Sequence, residues 1–406
     1  MVKARGANLS GTDTEGEFLP SLGELLSERV SPLAEVHEAA GAQFTDFAGW
    51  QMPVRYSSDL AEHRAVREAA GLFDLSHMGE IVLVGDEAAA ALDYAVSGRM
   101  SALQQGQAKY TLLLNAEGGV IDDLIVYRTG DDRFLVVANA ANAEAVAAEL
   151  RERASGFATE VFDESDDVAL IAVQGPRALE VLFAVEGFAI EGGHPDGEDV
   201  PETLRKLRYY RSVPGLFREH PLLFARTGYT GEDGFELFCA PDFAKELWEA
   251  LVEAGTPFGL VPAGLAARDT LRLEAGMPLY GHELGPATLP VQAGLGRVVD
   301  FGKPGDFVGR AAVEQGPETD ARVLVGLVGD GRRAARADYP VFTADGTTEI
   351  GVVTSGALSP TLGVPVAMAY IDPQYREAGT ELAIDVRGAK HPYTVTALPF
   401  YTRKSN

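Results

Sequence analysis

The pattern of hydrophobic residues changes near residue 300, and this change constrains the fold more than any other feature of the sequence. Beyond segment 300–306, short runs of alternating apolar and polar residues are separated by Gly, Pro and Asp. Such spacing is typical of a β-sandwich or β-barrel of about 100 residues. The expected strands are Ala321–Val328, Glu349–Thr354, Val366–Tyr370, Glu381–Val386 and Tyr393–Ala397.

Before this change, segments with helical periodicity alternate with strand-like runs and hairpins. Hairpins among helices, without strict strand–helix–strand alternation, predict the α+β class. We expect an N-terminal extension at 1–31, a main region of two α+β subdomains at 32–300 and a C-terminal β-barrel domain at 301–406. The breakers and acids of Glu191–Pro201 predict an exposed loop. The expected helices are Ser57–Ala70, Asp86–Val96, Ala141–Ala154, Pro176–Val185 and Phe243–Glu253.

The composition excludes several classes of function. Lys and Arg number 34 against 60 Asp and Glu, and a net charge of −26 argues against binding to nucleic acid or an anionic membrane. No apolar stretch approaches the roughly 20 residues of a membrane span, and the N-terminus lacks a signal or transit pattern, so we expect a cytoplasmic protein. The single cysteine, Cys239, excludes a thiolate metal site, and the scattered histidines predict no metal centre.

A β-hairpin with two adjacent acids is the most unusual local feature. Residues 115–119 form a predicted turn between two apolar runs, and Asp122 and Asp123 interrupt the second run. Side chains alternate along a strand, so the two acids face opposite sides, and Asp123 shares a face with Tyr127. Because Asp is rare in strands, we interpret one acid as functional. The alternative is a bulge that leaves both carboxylates in water.

Another acid, distant from this pair in the sequence, lies inside an apolar run. Glu236 stands between Phe235 and Leu237, after a segment with closely spaced glycines. A buried carboxylate is costly unless donors satisfy it. A heterocycle with a ring N–H beside an exocyclic amine would supply two parallel hydrogen bonds. The alternative is an ion pair with one of the arginines of the chain.

The segment Pro262–Glu274 predicts a helix with two arginines on one face. Arg268 and Arg272 are four residues apart, and their like charges repel unless an anion or a carboxylate bridges them. In an acidic chain, this pair predicts a clasp for an anion.

These segments resemble the aminomethyltransferase (T-protein) family of the glycine cleavage system, in the order in which that family carries them. The resemblance covers about residues 32–403 and implies a three-lobed cloverleaf. In that fold, two α+β subdomains and a C-terminal β-barrel surround a central folate cavity. The other matching segments are Asp46–Pro53, Gly71–Glu80, Gln174–Pro176 and Thr354–Gly363.

The resemblance also implies a reaction. The methylene carbon of an aminomethyl group, carried on the lipoyl arm of H-protein, moves to tetrahydrofolate, and ammonia is released. Tetrahydrofolate is then the cosubstrate, lipoylated H-protein is the partner, and no metal is needed. The alternative is a folate-dependent demethylase of a sulfonium or methylamine substrate on the same fold.

The resemblance assigns roles to individual residues. Asp123 matches the catalytic carboxylate, which would orient N10 of the folate and stabilise cationic character during the attack by N5. The positions that match folate-binding residues are Met78, Tyr110, Asp123, Tyr127, Asn139, Tyr229, Glu236, Arg268 and Arg403.

Overall fold

The computed structural model describes residues 29–193 and 199–403. The predicted extension at 1–31 therefore lies outside the described residues except for its last part, where Arg29–Val30 form a short strand. Within the described part of the chain, no helix combines the length and the apolar character that a membrane span requires.

The elements are numbered here in chain order. The helices are α1 (Ala34–Ala39), α2 (Asp59–Glu68), α3 (Ala88–Ala95), α4 (Ala143–Ala154), α5 (Ala178–Ala184), α6 (Val200–Lys206), α7 (Pro241–Gly255), α8 (Leu265–Glu274) and α9 (Arg310–Gln315). The strands are β1 (Arg29–Val30), β2 (Gln43–Phe47), β3 (Trp50–Arg55), β4 (Ala70–Asp74), β5 (Gly79–Val84), β6 (Ala108–Leu114), β7 (Val120–Arg128), β8 (Arg133–Ala138), β9 (Glu160–Asp163), β10 (Ala169–Gln174), β11 (Phe188–Ile190), β12 (Ser212–Phe217), β13 (His220–Ala225), β14 (Gly234–Cys239), β15 (Leu260–Pro262), β16 (Val323–Gly329), β17 (Pro340–Thr343), β18 (Glu349–Leu358), β19 (Pro365–Ile371), β20 (Glu381–Val386) and β21 (Ala389–Thr396).

Three larger sheets organise the described residues. Sheet I has the order β6-β7-β8-β5-β9, and sheet II has the order β11-β12-β13-β14-β10-β4-β15. The third sheet closes into a barrel with the order β16-β19-β18-β17-β20-β21. The predicted α+β class and the predicted C-terminal barrel are therefore confirmed. The barrel needs β17, a strand of four residues that is too short to show an alternating pattern.

Sheets I and II each bury both faces. On the outer face of sheet I, Leu83 and Val126 pack in one core with residues of α3 and α4. On the outer face of sheet II, Phe235 and Leu237 pack in another core with Trp248 of α7. The inner faces share a third core, to which α8 also contributes. Alternation along each strand therefore sends every second side chain into the layer between the sheets.

A buried ionic junction joins the barrel to the rest of the protein. Glu274, at the end of α8, accepts hydrogen bonds from Arg67 Nη2 of α2 at 2.9 Å and from Thr361 N of the barrel at 3.0 Å. His63 Nε2 lies 3.2 Å from the same carboxylate. Burial raises the pKa of Glu274, but hydrogen bonds from His63, Ser359 and Thr361 outweigh it and lower the pKa to about 2. The carboxylate is therefore ionised and connects three elements that are distant in sequence.

The predicted loop Glu191–Pro201 is wrong at its C-terminal end. Helix α6 begins at Val200, and its first turn contains Pro201. Proline fits the first turn of a helix because that position needs no N–H donor. Residues 194–198 of the predicted loop lie outside the described residues.

Candidate active site

The hairpin β6–β7 places its acids as the alternation predicts. Asp122 is fully buried on the side that faces α4, whereas Asp123 is half-buried and points into the layer between the sheets. The hairpin register shifts between Leu113 and Leu114, so a bulge is present. The alternative in which both carboxylates are in water is nevertheless wrong, because Asp122 is fully buried.

Strand register brings donors to Asp123. Ile125 pairs with Val137, so Asn139, the first residue after β8, lies opposite Asp123. Asn139 Nδ2 donates to Asp123 Oδ1 at 2.9 Å, and Tyr110 OH donates to Asp123 Oδ2 at 3.0 Å. Both carboxylate oxygens are therefore held by side chains that the sheet itself positions.

The two acids share a single amide. Asn139 Nδ2 also donates to Asp122 Oδ1 at 2.8 Å, and Asn142 Nδ2 donates to the same oxygen at 2.7 Å. Burial and the charge of Asp123 raise the pKa of Asp122 to about 7. Burial raises the pKa of Asp123 to about 6, against the opposing effect of its hydrogen bonds from Tyr110 and Asn139. The site therefore holds two carboxylates that titrate close to neutral pH.

Glu236 faces the same layer from the opposite sheet. It lies on β14 between Ala172 and Ala225 of the neighbouring strands. Tyr127 OH of sheet I donates to Glu236 Oε2 at 3.2 Å, and Thr227 Oγ1 donates to the same oxygen. Among the described residues, Oε1 accepts no hydrogen bond and no arginine forms a salt bridge with Glu236. The alternative of a structural arginine pair is therefore wrong.

The two arginines of α8 have different environments. Arg272 is 1% exposed and donates to Glu283 Oε2 at 3.0 Å and to Ser355 Oγ at 2.8 Å. The guanidinium carbon of Arg268 lies 4.8 Å from the ring centroid of Tyr229. That guanidinium makes no hydrogen bond to any other described residue. The predicted two-arginine clasp is therefore wrong, because internal partners already hold Arg272 and only Arg268 can receive an anion.

The remaining predicted residues lie around these groups. Met78 is half-buried and packs against the core between the sheets. Tyr229 OH donates to the carbonyl oxygen of Pro278. Arg403 Nη1 is 3.6 Å from Asp233 Oδ1, and its guanidinium carbon is 5.9 Å from the ring of Tyr209. Among the described residues, Arg403 therefore pairs with Asp233 and Tyr209, and it forms a salt bridge with neither Asp123 nor Glu236.

Comparison with known proteins identifies the family. The model of the GCVT N-terminal domain matches residues 33–303, and that of the glycine cleavage T-protein C-terminal barrel domain matches residues 322–402. The chain belongs to the glycine cleavage T-protein family. Aminomethyltransferase from Cutibacterium acnes is 56% identical, covering 92% of this chain and 99% of that protein. Aminomethyltransferase from Saccharopolyspora erythraea is 54% identical, covering 93% of this chain and 100% of that protein.

A solved T-protein shares the fold. The crystal structure of glycine cleavage system aminomethyltransferase T from Bartonella henselae matches with a TM-score of 0.81 at 38% identity. The match covers 92% of this chain and 98% of that one. The three-lobed architecture of this T-protein family member is therefore one already observed in the family.

Tyr210 is a residue of this T-protein family member that sequence reasoning missed. Its φ of +60° is unusual for a side chain of this size, and such outliers cluster at functional sites. Its backbone joins the two sheets, because Ala108 N donates to Tyr210 O at 2.9 Å and Tyr210 N donates to Arg226 O at 3.0 Å. Burial raises the pKa of Tyr210, and the charges of Glu236 and Asp123 raise it further. In the sequence, the only signal for Tyr210 is that it follows another tyrosine, Tyr209.

The described residues of this family member contain no group of three or more His, Cys, Asp or Glu side chains arranged to hold a metal ion. Cys239 is buried in the core of sheet II, and burial raises the pKa of its thiol to about 12.

Proposed function

We propose that this chain transfers the methylene carbon of an aminomethyl group, carried on the lipoyl arm of H-protein, to tetrahydrofolate and releases ammonia. One observation carries the proposal: Asp123 and Glu236 extend from facing sheets into one layer, where Tyr127 OH of sheet I donates to Glu236 Oε2 of sheet II at 3.2 Å. Membership in the T-protein family supports the same reaction, and the relatives described above are aminomethyltransferases.

The residues present fit tetrahydrofolate. Glu236 is 8% exposed, and its Oε1 accepts no hydrogen bond from the described residues, which suits the N–H groups along a pterin edge. Arg268 is a cation without a hydrogen-bond partner in the same part of the chain, which suits the negative charge of a folate tail. Tyr229 supplies aromatic surface beside Arg268. Tyr127 is fully buried and supports Glu236 by donating to its Oε2.

When bound, tetrahydrofolate supplies two amine nitrogens, N5 and N10, that bond to the transferred carbon as its bonds to sulfur and to the amine nitrogen break; the two displaced protons leave on the thiol and on ammonia. Asp123 would hold a negative charge near the reacting nitrogens and would stabilise positive charge that develops in the transition state. Tyr110 and Asn139 fix the orientation of that carboxylate before substrate arrives. Glu236 and Arg268 would hold and orient the folate.

The product assay separates this proposal from the alternative. The purified chain is incubated with tetrahydrofolate and either aminomethyl-loaded, lipoylated H-protein or dimethylsulfoniopropionate. We expect 5,10-methylenetetrahydrofolate and ammonia from the first substrate and no methylated folate from the second. Methyl transfer from the sulfonium compound alone would favour the demethylase.

Replacing Glu236 with glutamine is expected to raise the dissociation constant for 5-formyltetrahydrofolate by about 10–100-fold. Hydrogen bonds to a charged group contribute about 1.5–3 kcal/mol, and the amide keeps only one acceptor oxygen. Isothermal titration calorimetry measures the change. Glu246→Gln, on the surface of α7, is the matched control. Equal affinities of wild type and Glu236→Gln would remove Glu236 from the folate site.

The rate is expected to fall at acid pH with the protonation of Asp123. Burial raises the pKa of this carboxyl to about 6. Asp123 is therefore fully ionised well above pH 6 and becomes protonated as the pH falls through that value. The profile of kcat/KM reports the free enzyme. Tyr110→Phe removes a hydrogen bond that favours the carboxylate, so the acid limb should move to higher pH. Tyr393→Phe, in the barrel, should leave the limb in place, and an unmoved limb in Tyr110→Phe would contradict this assignment.

A further inference from the structure

The segment that connects α8 to the barrel encloses the turn of the β6–β7 hairpin. Val120 N donates to Gly285 O at 3.1 Å, and Asn115 Nδ2 donates to Pro286 O at 2.9 Å. Helix α9 also packs closely against the turn, because a Cβ at Gly118 would lie 3.0 Å from Val313 Cγ1. The position of the hairpin that carries Asp123 therefore depends on this connecting segment.

Lys303 is the buried cation of the connecting segment. It is 4% exposed, and its Nζ donates to Val96 O and, at 3.1 Å, to Gly98 O. Nζ also lies 4.1 Å from the centroid of the Phe307 ring. Within the described ranges, no carboxylate lies within 4.0 Å of it. Its direct partners are thus two carbonyl oxygens and one aromatic face, an arrangement that requires a long, positively charged donor.

The carbonyls held by Lys303 belong to a segment that extends sheet I beyond β6. Ser97 N donates to Leu112 O at 2.8 Å, and Gly98 N donates to Thr111 Oγ1 at 2.8 Å. On β7, Asp123 pairs with Leu112. A continuous series of contacts thus leads from Nζ of Lys303 through residues 96–98 to the strand that presents Tyr110 to Asp123.

We propose that Lys303 is a positioning residue for the carbon transfer: it fixes strand β6 so that Tyr110 donates its hydrogen bond to Asp123. This inference rests on the proposed function. Among the described residues, Lys303 makes no hydrogen bond to Asp123 or Tyr110, so it acts through residues 96–98 and β6. Its ammonium is charged at pH 7, because burial lowers its pKa only to about 8 while the charges of Asp93 and Asp300 oppose those of Lys109 and Arg310.

The test compares two lysine-to-methionine variants. Lys390 lies over the ring of Phe342 at 3.5 Å and donates to Gly346 O, so it makes the same kinds of contact on the barrel surface. Lys303→Met is expected to lower kcat by about 10–100-fold at pH 7, since small displacements of a catalytic group cost about 100-fold. Its affinity for 5-formyltetrahydrofolate should stay near that of wild type. Lys390→Met should match wild type in both measurements.

The acid limb of kcat/KM separates positioning from simple structural support. A weakened bond from Tyr110 raises the pKa of Asp123, so the limb should move to higher pH in Lys303→Met and move back in Lys303→Arg. A folded Lys303→Met with the wild-type limb would overturn the proposal. If Lys303→Met does not fold, Thr111→Val interrupts the same series of contacts and should move the limb in the same direction; an unmoved limb there would also overturn it.

A measurement without turnover keeps this proposal separate from the proposed function. The pKa of Asp123 is followed by NMR of ¹³C-labelled aspartate carboxyls, with Asp123→Asn used for assignment. A higher pKa of Asp123 in Lys303→Met supports the positioning role of Lys303 even if the chain acts on another one-carbon donor. An unchanged pKa of Asp123 in Lys303→Met would refute that positioning role even if the aminomethyl reaction is confirmed.

Discussion

Replacing Asp123 with asparagine is expected to lower kcat of the transfer reaction by about 10²–10³-fold, the cost of removing one group positioned to stabilise charge in the transition state. Asparagine keeps the size of the side chain and can still pair with Asn139 and Tyr110. It lacks the negative charge that, in the proposed mechanism, stabilises the reacting nitrogens. The affinity for 5-formyltetrahydrofolate should change little, because Glu236 and Arg268 still hold the ligand.

Two measurements on the same preparation decide the role of Asp123. Single-turnover ammonia release gives the rate, and calorimetry with 5-formyltetrahydrofolate gives the affinity. Asp86→Asn, an exposed acid before α3, is the control and should match wild type. Equal losses of rate and affinity in Asp123→Asn would instead make Asp123 a binding or structural residue.

Replacing Glu274 with glutamine is expected to lower the free energy of unfolding by about 3 kcal/mol, as for other buried ion pairs that lose one partner. The loss should lie at the lower end of the range, because Arg67 keeps its second partner, Glu232, at 2.8 Å. Urea denaturation at pH 7 measures the change. Glu246→Gln breaks an exposed pair with Arg218 and should cost less than about 1 kcal/mol.

The same residue gives the folded protein a pH dependence. The pKa of Glu274 is about 2 in the folded protein, against an ordinary value of 4.5. Its contribution is therefore present above about pH 4.5 and is lost as the pH falls from there toward 2. The wild type should lose more stability over this range than Glu274→Gln. Parallel losses in the two proteins would show that Glu274 does not act as a buried ion.

Local sequence patterns were sufficient to predict how the acidic side chains of the site are placed. Alternation along β7 predicted opposite faces for Asp122 and Asp123, and the apolar neighbours of Glu236 predicted its burial. Both inferences need only the period of a strand. The strands of the β-barrel were equally predictable from the sequence, except for β17, whose four residues are too few to show a period.

The other features of the site could not be predicted, because they depend on contacts between residues that are distant in sequence. Arg268 and Arg272 are equivalent on a helical face, and they differ only because Glu283 and Ser355 reach one of them. The positive φ of Tyr210 arises where its backbone joins two sheets, which no local pattern encodes. Lys303 lies in a segment of turns, and its burial depends on the carbonyls of residues 96 and 98.

The most direct test of the proposed site is product formation from aminomethyl-loaded, lipoylated H-protein by wild type and Asp123→Asn. The account predicts ammonia and 5,10-methylenetetrahydrofolate in equal amounts from wild type, dependent on tetrahydrofolate, and at least about 100-fold slower formation by the variant. Wild-type rates in Asp123→Asn, or ammonia release by wild type without any methylene product, would contradict it.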